Sequence, residues 1–260
     1  MTSLSSRPDL SSLDGVIADA SLVAALQAVG HSTYAAAAEF WRVPMASPHL
    51  TPRIKELLLL AMHASAASLN VEAVERHIQR ARAAGATAED IVDVMITIVP
   101  LANHPLYHSV PVLEDELDKA GLPSADVTSG AGALEAARER FLAARGFWNA
   151  DRERLFCLLP EYYEALTNIG TESWLHGSLS TKEREFVCIA IDCTVTHTYE
   201  PGLRAHIRNA IKQGATKDEI LVIFQLAALL GLEGYLLSAR ALRDTLEPDN
   251  ANFGPDTDAT

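Results

Sequence analysis

"LSTKEREFVCIAIDCTVTHTYEPGLRAHIRNAIKQGATKDEI", Leu179 to Ile220, has an earlier version of itself in the same chain. An offset of 129 residues lays it without a gap on "LTPRIKELLLLAMHASAASLNVEAVERHIQRARAAGATAEDI", Leu50 to Ile91. Leu50, Glu56, Ala61, His77, Ile78, Ala81, Gly85, Ala86, Thr87 and Ile91 meet identical residues, and upstream Tyr34 meets Tyr163. An ungapped match of this length marks a tandem duplication, so the fold is one unit built twice.

Each copy reads as helices with marked ends. Thr51 and Ser180 are N-cap residues, and Glu56 and Glu185 follow in the early turns, where the positive end of the helix dipole favours a carboxylate. The runs "ELLLLAMHA" and "EFVCIAIDC" are apolar on nearly every face and predict a buried first helix. A break follows at Asn70 and at Pro201-Gly202. The second helix closes at Gly85 or Gly214, each a candidate for the left-handed C′ position. Thr87 and Thr216 then cap a third helix, with Asp90 and Glu219 three residues on; Thr216 with Glu219 makes a capping box.

The repeat fixes the domain plan. An N-terminal repeat spans 1–120, a Gly/Pro/Ser/Thr linker spans 121–132, a C-terminal repeat spans 133–247 and a polar tail spans 248–260. The tail and the first ten or so residues lack the apolar content to pay for ordering. The fold class is all-α, a tandem pair of helical repeats in one pseudo-symmetric body, consistent with abundant Ala and Leu.

Composition narrows the partners. A net charge of −13 argues against nucleic acid and anionic membrane surfaces, and an anionic substrate would need arginines placed locally. "EILVIFQLAALLGLEGYLL" is broken by Glu233 and two glycines, which reads as a buried helix rather than a membrane span. The N-terminus has no signal-peptide pattern. Cys157, Cys188 and Cys193 show no C-x-x-C spacing and read as reduced thiols, hence a cytoplasmic location.

The pattern L-[ST]-x-x-x-x-E, a buried helix, then H-I-x-x-A-x-x-x-G-A-T-x-[ED]-[DE]-I resembles the carboxymuconolactone decarboxylase family, which includes the alkylhydroperoxidase D-like proteins. The resemblance covers both copies, about two thirds of the chain; "RGFWNADRERLFCLLPEYYEALTNI" also looks like the lead-in of two-copy members, and the second copy is the more specific match. The alkylhydroperoxidase D-like branch uses C-x-x-C ahead of its histidine. Those positions hold Asn70 and Ala73 in copy one and Tyr199 and Gly202 in copy two, which removes thiol peroxidase chemistry. The decarboxylase branch implies cofactor-independent loss of CO2 from a small lactone acid, or a related lyase or isomerase reaction. It also implies further assembly into a homo-oligomer, a dimer or trimer of two-copy chains. This chain departs from the family where a Glu-Leu pair is replaced by Gly202-Leu203 and Ala73-Val74. It departs again where a late histidine is replaced by Glu233.

On this resemblance His206 is the general acid/base, with His197 and Tyr199, present only in copy two, as the other catalytic groups. Arg204 is the expected carboxylate ligand because its fork suits a bidentate contact. Asp192, Glu185 and His77 complete the candidate substrate site; Glu185 and Asp192 lie seven apart on one helix face, and Glu185 reads first as structural. Two readings compete. One is a non-catalytic helical oligomer that binds a small ligand or partner. The other is a metal-dependent hydrolase or lyase using the extra histidines, with His104 and His108 four apart and His63, His77 and His104 as a convergent set. Trp41, Trp148 and Trp174 read as helix packing or a subunit contact.

Overall fold

The computed structural model describes residues 9–123 and 131–246. Most of the linker at 121–132, the tail and residues 1–8 therefore lie outside the described residues. The described chain is helical and has no strand: α1 (Asp14–Ile17), α2 (Ala20–Ala46), α3 (Pro52–Ala64), α4 (Val71–Ala83), α5 (Ala88–Ile98), α6 (His104–Lys119), α7 (Ala131–Arg145), α8 (Ala150–Leu158), α9 (Pro160–His176), α10 (Thr181–Asp192), α11 (Glu200–Lys212), α12 (Lys217–Ala228) and α13 (Leu232–Leu246). Helices α3, α4 and α5 of copy one correspond to α10, α11 and α12 of copy two.

The helix ends follow the local chemistry. Thr51 accepts from the Ile54 amide, and Ser180 forms a capping box with Glu183. Asp90 returns a bond to the Thr87 amide as Glu219 does to Thr216, so both third helices carry the reciprocal cap, not copy two alone. Gly85 and Gly214 take positive φ of 96° and 81°, the left-handed C′ geometry expected of them. Helix α11 begins one residue earlier than its proline suggests, at Glu200, with Pro201 in the first turn where a missing N–H is harmless.

Two compact units result. Residues 49–227 form the larger one. Its centre is the pair α3 and α10, which pack on one another and on α5. Leu57 to Met62 and Phe186 to Ile191 are buried without exception. Removing such side chains from water contributes about 1.5–3 kcal/mol each, which is why these stretches carry almost no polar residue. The carboxylates of α5 tie the copies together. Arg184 donates to Asp93 at 3.2 and 2.8 Å, the Leu179 amide donates to Asp93 at 2.7 Å, and Arg53 grips Asp90 through two nitrogens. Gly177 is obligatory there: an added Cβ would lie 2.3 Å from Asp93 Oδ2.

The smaller unit contains α1, α2 and α13. Asp19 caps α2 and pairs with Arg243, Tyr34 bonds Asp14, and α2 kinks at Gly30. The apolar run from Lys217 to Arg243, with mean hydropathy 2.1 over its most apolar stretch, is long and apolar enough to cross a membrane by length and composition. It is divided by a 3-10 turn at Leu229–Gly231, so α12 and α13 are separate elements.

Candidate functional site

The break between the first and second helices has the same form in both copies. Leu69 and Thr198, equivalent by the repeat offset, take left-handed backbone at φ 47° and 39°. Such a conformation is uncommon for a non-glycine residue, and for a β-branched threonine it is a true outlier held in place by its surroundings. The Thr198 amide and hydroxyl both donate to the Thr194 carbonyl, at 2.9 and 2.8 Å, and the Tyr199 amide donates to the Asp192 carbonyl at 3.0 Å. The chain is thereby folded back so that the first turn of α11 meets the end of α10.

Within that frame the recurring histidine of each copy is buried against the recurring glutamate. His77 Nδ1 lies 2.8 Å from Glu56, and His206 Nδ1 lies 2.6 Å from Glu185. Their surroundings differ at the remaining carboxylate oxygen. Copy one places Arg80 there, at 3.0 Å through Nε and 2.8 Å through a terminal nitrogen; copy two places the neutral amide of Asn209, at 3.2 Å. A guanidinium shares the charge of Glu56, and burial holds the His77 pKa below its ordinary value. Burial also opposes protonation of His206, but Cys188 and Glu185 overcome it and push its pKa up to about 10. The duplicated pair has thus diverged: burial prevails at His77, whereas at His206 the neighbouring groups favour the protonated ring. Cys188, which replaces Leu59, lies within 4.8 Å of both partners.

Asp192 sits one step beyond. It is fully buried, and neither carboxylate oxygen has a hydrogen bond of good geometry. Three imidazoles surround it at longer range: His104 Nδ1 at 3.4 Å, His197 Nε2 at 3.5 Å and His206 Nε2 at 3.9 Å. Burial raises the Asp192 pKa against the pull of His197 and His206. His104 and His197 approach each other to 2.8 Å. Burial and the positive fields of His197, His206 and two arginines drive the His104 pKa down to about 2, so that ring is neutral. The Tyr199 ring stacks on His104 with centroids 3.9 Å apart. Gly202 makes room for the carboxylate, since a Cβ there would lie 2.3 Å from Asp192 Oδ2.

A cavity of about 230 Å³ opens beside this cluster. Drug-sized ligands occupy sites of roughly 300–1,000 Å³, so this one suits a small metabolite. His206, Tyr199 and Gly202 come from α11 and its cap, Leu101 and His104 from copy one, Arg145 from the end of α7, Phe147 and Trp148 from the turn after it, and Arg152 from α8. The Arg145 guanidinium lies 3.5 Å from the Trp174 ring centre and donates to the Gly170 carbonyl at 2.8 Å. Arg152 lies over Phe141 at 3.8 Å. The Nε atoms of both are buried without a partner, and neither arginine pairs with a carboxylate among the described residues. Two guanidinium groups held on aromatic faces form a ready anion site. The ring of His206 is therefore not sealed in hydrocarbon.

The family model described as "Carboxymuconolactone decarboxylase family" matches twice, over residues 32–115 and 160–244. The chain belongs to the carboxymuconolactone decarboxylase family. A crystal structure of a protein from Burkholderia xenovorans LB400, described as a "putative gamma-carboxymuconolactone decarboxylase subunit", superposes with a TM-score of 0.83. It is 31% identical, and the match covers 94% of this chain and 99% of that one. Among curated proteins none matches the chain in sequence.

The family's thiol positions, Tyr199 and Gly202 in copy two, serve here to stack on a histidine and to admit a carboxylate. The one thiol nearest Asp192 in sequence, Cys193, is held protonated, its pKa raised to about 12 by burial and by that carboxylate. Of the residues singled out in the sequence, His206, His197, Tyr199, Asp192 and Glu185 come together. Glu185 is the buried partner of the histidine and not merely an early-turn charge. His77 lies in the equivalent position of copy one, paired with Glu56 and stacked on His63, so His63, His77 and His104 do not form one set. Arg204 points away: it is exposed and pairs with Glu200, which answers its charge one helical turn away. His108 is exposed and meets Tyr199 edge-on, whereas His104 lies in the cluster. Sequence reading missed Arg145 and Arg152. The density of arginine and aromatic residues in "RGFWNADRERLF" was the available signal.

Proposed function

We propose that the chain is a decarboxylase or related lyase acting on a small carboxylated metabolite of the lactone type, with His206 as proton donor. One observation carries the reading: a buried histidine held by a carboxylate faces a small cavity in which Arg145 and Arg152 have no carboxylate of their own. Those arginines bind the substrate's carboxylate groups and leave the reacting bond beside α11. The carbon–carbon bond to the departing carboxylate breaks, and its electron pair passes into the conjugated carbonyl, giving a dienolate and CO2. The first turn of α11 and the nearby guanidinium groups stabilise the oxyanion. His206 then delivers its proton to carbon, and Glu185 keeps the neutral ring oriented for reprotonation from solvent. The relative's description supports carboxymuconolactone as the first substrate to try.

The test is CO2 release from carboxymuconolactone by wild type, His206→Asn, Arg152→Ala and Arg204→Ala. Wild-type turnover is expected to fall by about 100-fold or more in His206→Asn, the range general acid catalysis supplies. Arg152→Ala raises KM, and Arg204→Ala changes neither constant. Turnover unchanged in His206→Asn, or no turnover by folded wild type, overturns the reading.

A further inference from the structure

We propose that His104, Asp192 and His197 form a binding site for one divalent first-row transition-metal ion, next to the His206 cavity. The inference goes beyond the decarboxylase reading and does not rest on it. Its ground is a triangle of three ligand atoms: His104 Nδ1 to His197 Nε2 is 2.8 Å, His104 Nδ1 to Asp192 Oδ1 is 3.4 Å, and His197 Nε2 to Asp192 Oδ1 is 3.5 Å. The centre of that triangle lies about 1.9 Å from each corner, so an ion about 0.9 Å off its plane reaches all three at the ~2.1 Å typical of zinc–nitrogen and zinc–carboxylate bonds. Three such atoms on one face leave further coordination positions open.

The chemistry of the donors agrees. Asp192 is a fully buried carboxylate whose two oxygens make no hydrogen bond of good geometry, the imidazoles around it standing off at 3.4–3.9 Å, an arrangement that an ion between them would complete. Two imidazole nitrogens with one carboxylate select ions such as zinc, cobalt(II) or iron(II) over magnesium and calcium, which prefer oxygen ligands. The surrounding contacts orient these ligands. Tyr199 stacks on the His104 ring, and the absence of a side chain at Gly202 lets Asp192 reach its place. Two of the three ligands, Asp192 and His197, are particular to copy two, and His104 joins them from copy one. By the repeat offset, copy one has His63 in place of Asp192 and Ser68 in place of His197. Divergence of the copies placed Asp192 and His197 here together with Gly202, whose equivalent is Ala73; a Cβ at position 202 would lie 2.3 Å from Asp192 Oδ2.

Cobalt(II) is the probe, because its bound form absorbs visible light. Full-length protein is stripped with a chelator and titrated with cobalt(II), with uptake checked by elemental analysis. The expected result is one ion per chain, a visible absorption band and a higher thermal midpoint. His197→Ala and His104→Ala should each weaken binding by more than about tenfold, the least that loss of an outer contact to a metal ligand costs. His206→Asn keeps one ion per chain, so failure of this site and failure of the proton donor are read separately. Asp192→Asn is a further variant, and if it does not fold, His197→Ala decides, because its ring is partly exposed. No uptake by folded wild type, or equal uptake by His197→Ala and His104→Ala, overturns the site and leaves the His206 reading standing.

Discussion

Replacing Glu185 by glutamine separates the two copies of the repeat more sharply than any other change. The amide keeps the size of the side chain but removes the charge that lies 2.6 Å from His206 Nδ1. Hydrogen bonds to charged groups are worth about 1.5–3 kcal/mol, and full burial of both partners places this one at the upper end. The imidazolium is then less available as donor, and a loss of about 3 kcal/mol in the transition state is about 150-fold in kcat. KM should stay within about threefold, because on the proposed reading Arg145 and Arg152 hold the substrate, and Glu185 does not line the cavity. Glu56→Gln is the matched control. It removes the same charge from His77 and also unbalances Arg80, so it destabilises at least as much. It should leave kcat of the folded fraction unchanged. The assay is steady-state CO2 release, with the folded fraction measured by circular dichroism. Equal losses of kcat in the two variants, or a Glu185→Gln enzyme within about threefold of wild type, would refute the argument that copy two holds the acid.

Two further outcomes are expected. Burial raises the Asp90 pKa, but Arg53, the Thr87 amide and Ser178 outweigh it and bring the value from 3.8 to about 2. That lowered value stabilises the fold by about 2 kcal/mol above pH 4, lost as the pH falls through 2. In urea titrations Asp90→Asn should be less stable than wild type at pH 7, with the gap closing toward pH 2; a gap independent of pH would contradict the assignment. Gly202→Ala should cost about 1–3 kcal/mol by overpacking and abolish activity, because the new Cβ meets Asp192 and Tyr199. Ala73→Gly in copy one should cost less than about 1 kcal/mol and leave activity alone. An active, stable Gly202→Ala protein would show that Asp192 is free to move.

Much of the fold was legible because its instructions are local. Thr51, Ser180, Thr87 and Thr216 stop or start helices through atoms three residues away, and Gly85 and Gly214 end them through their own backbone freedom. The 129-residue offset then made each copy a check on the other, and it located His206 and Glu185 as equivalents of His77 and Glu56. The same comparison showed that copy two differs at Asp192, His197, Tyr199 and Gly202; Tyr199 and Gly202 line the cavity, and Asp192 and His197 lie in the cluster beside it.

The sequence by itself determined the duplicated all-α plan, the missing thiol pair and the identity of the histidine. Only the tertiary structure decided which cations face the cavity. Arg204 is two positions from His206 in sequence but satisfies Glu200 at the surface, while Arg145 and Arg152 arrive from α7 and α8. It also brought His104 to within 2.8 Å of His197, although 93 positions separate them. Spacing along a chain encodes which face of one helix a residue occupies; meetings between helices depend on how buried faces pack, and no local pattern records that.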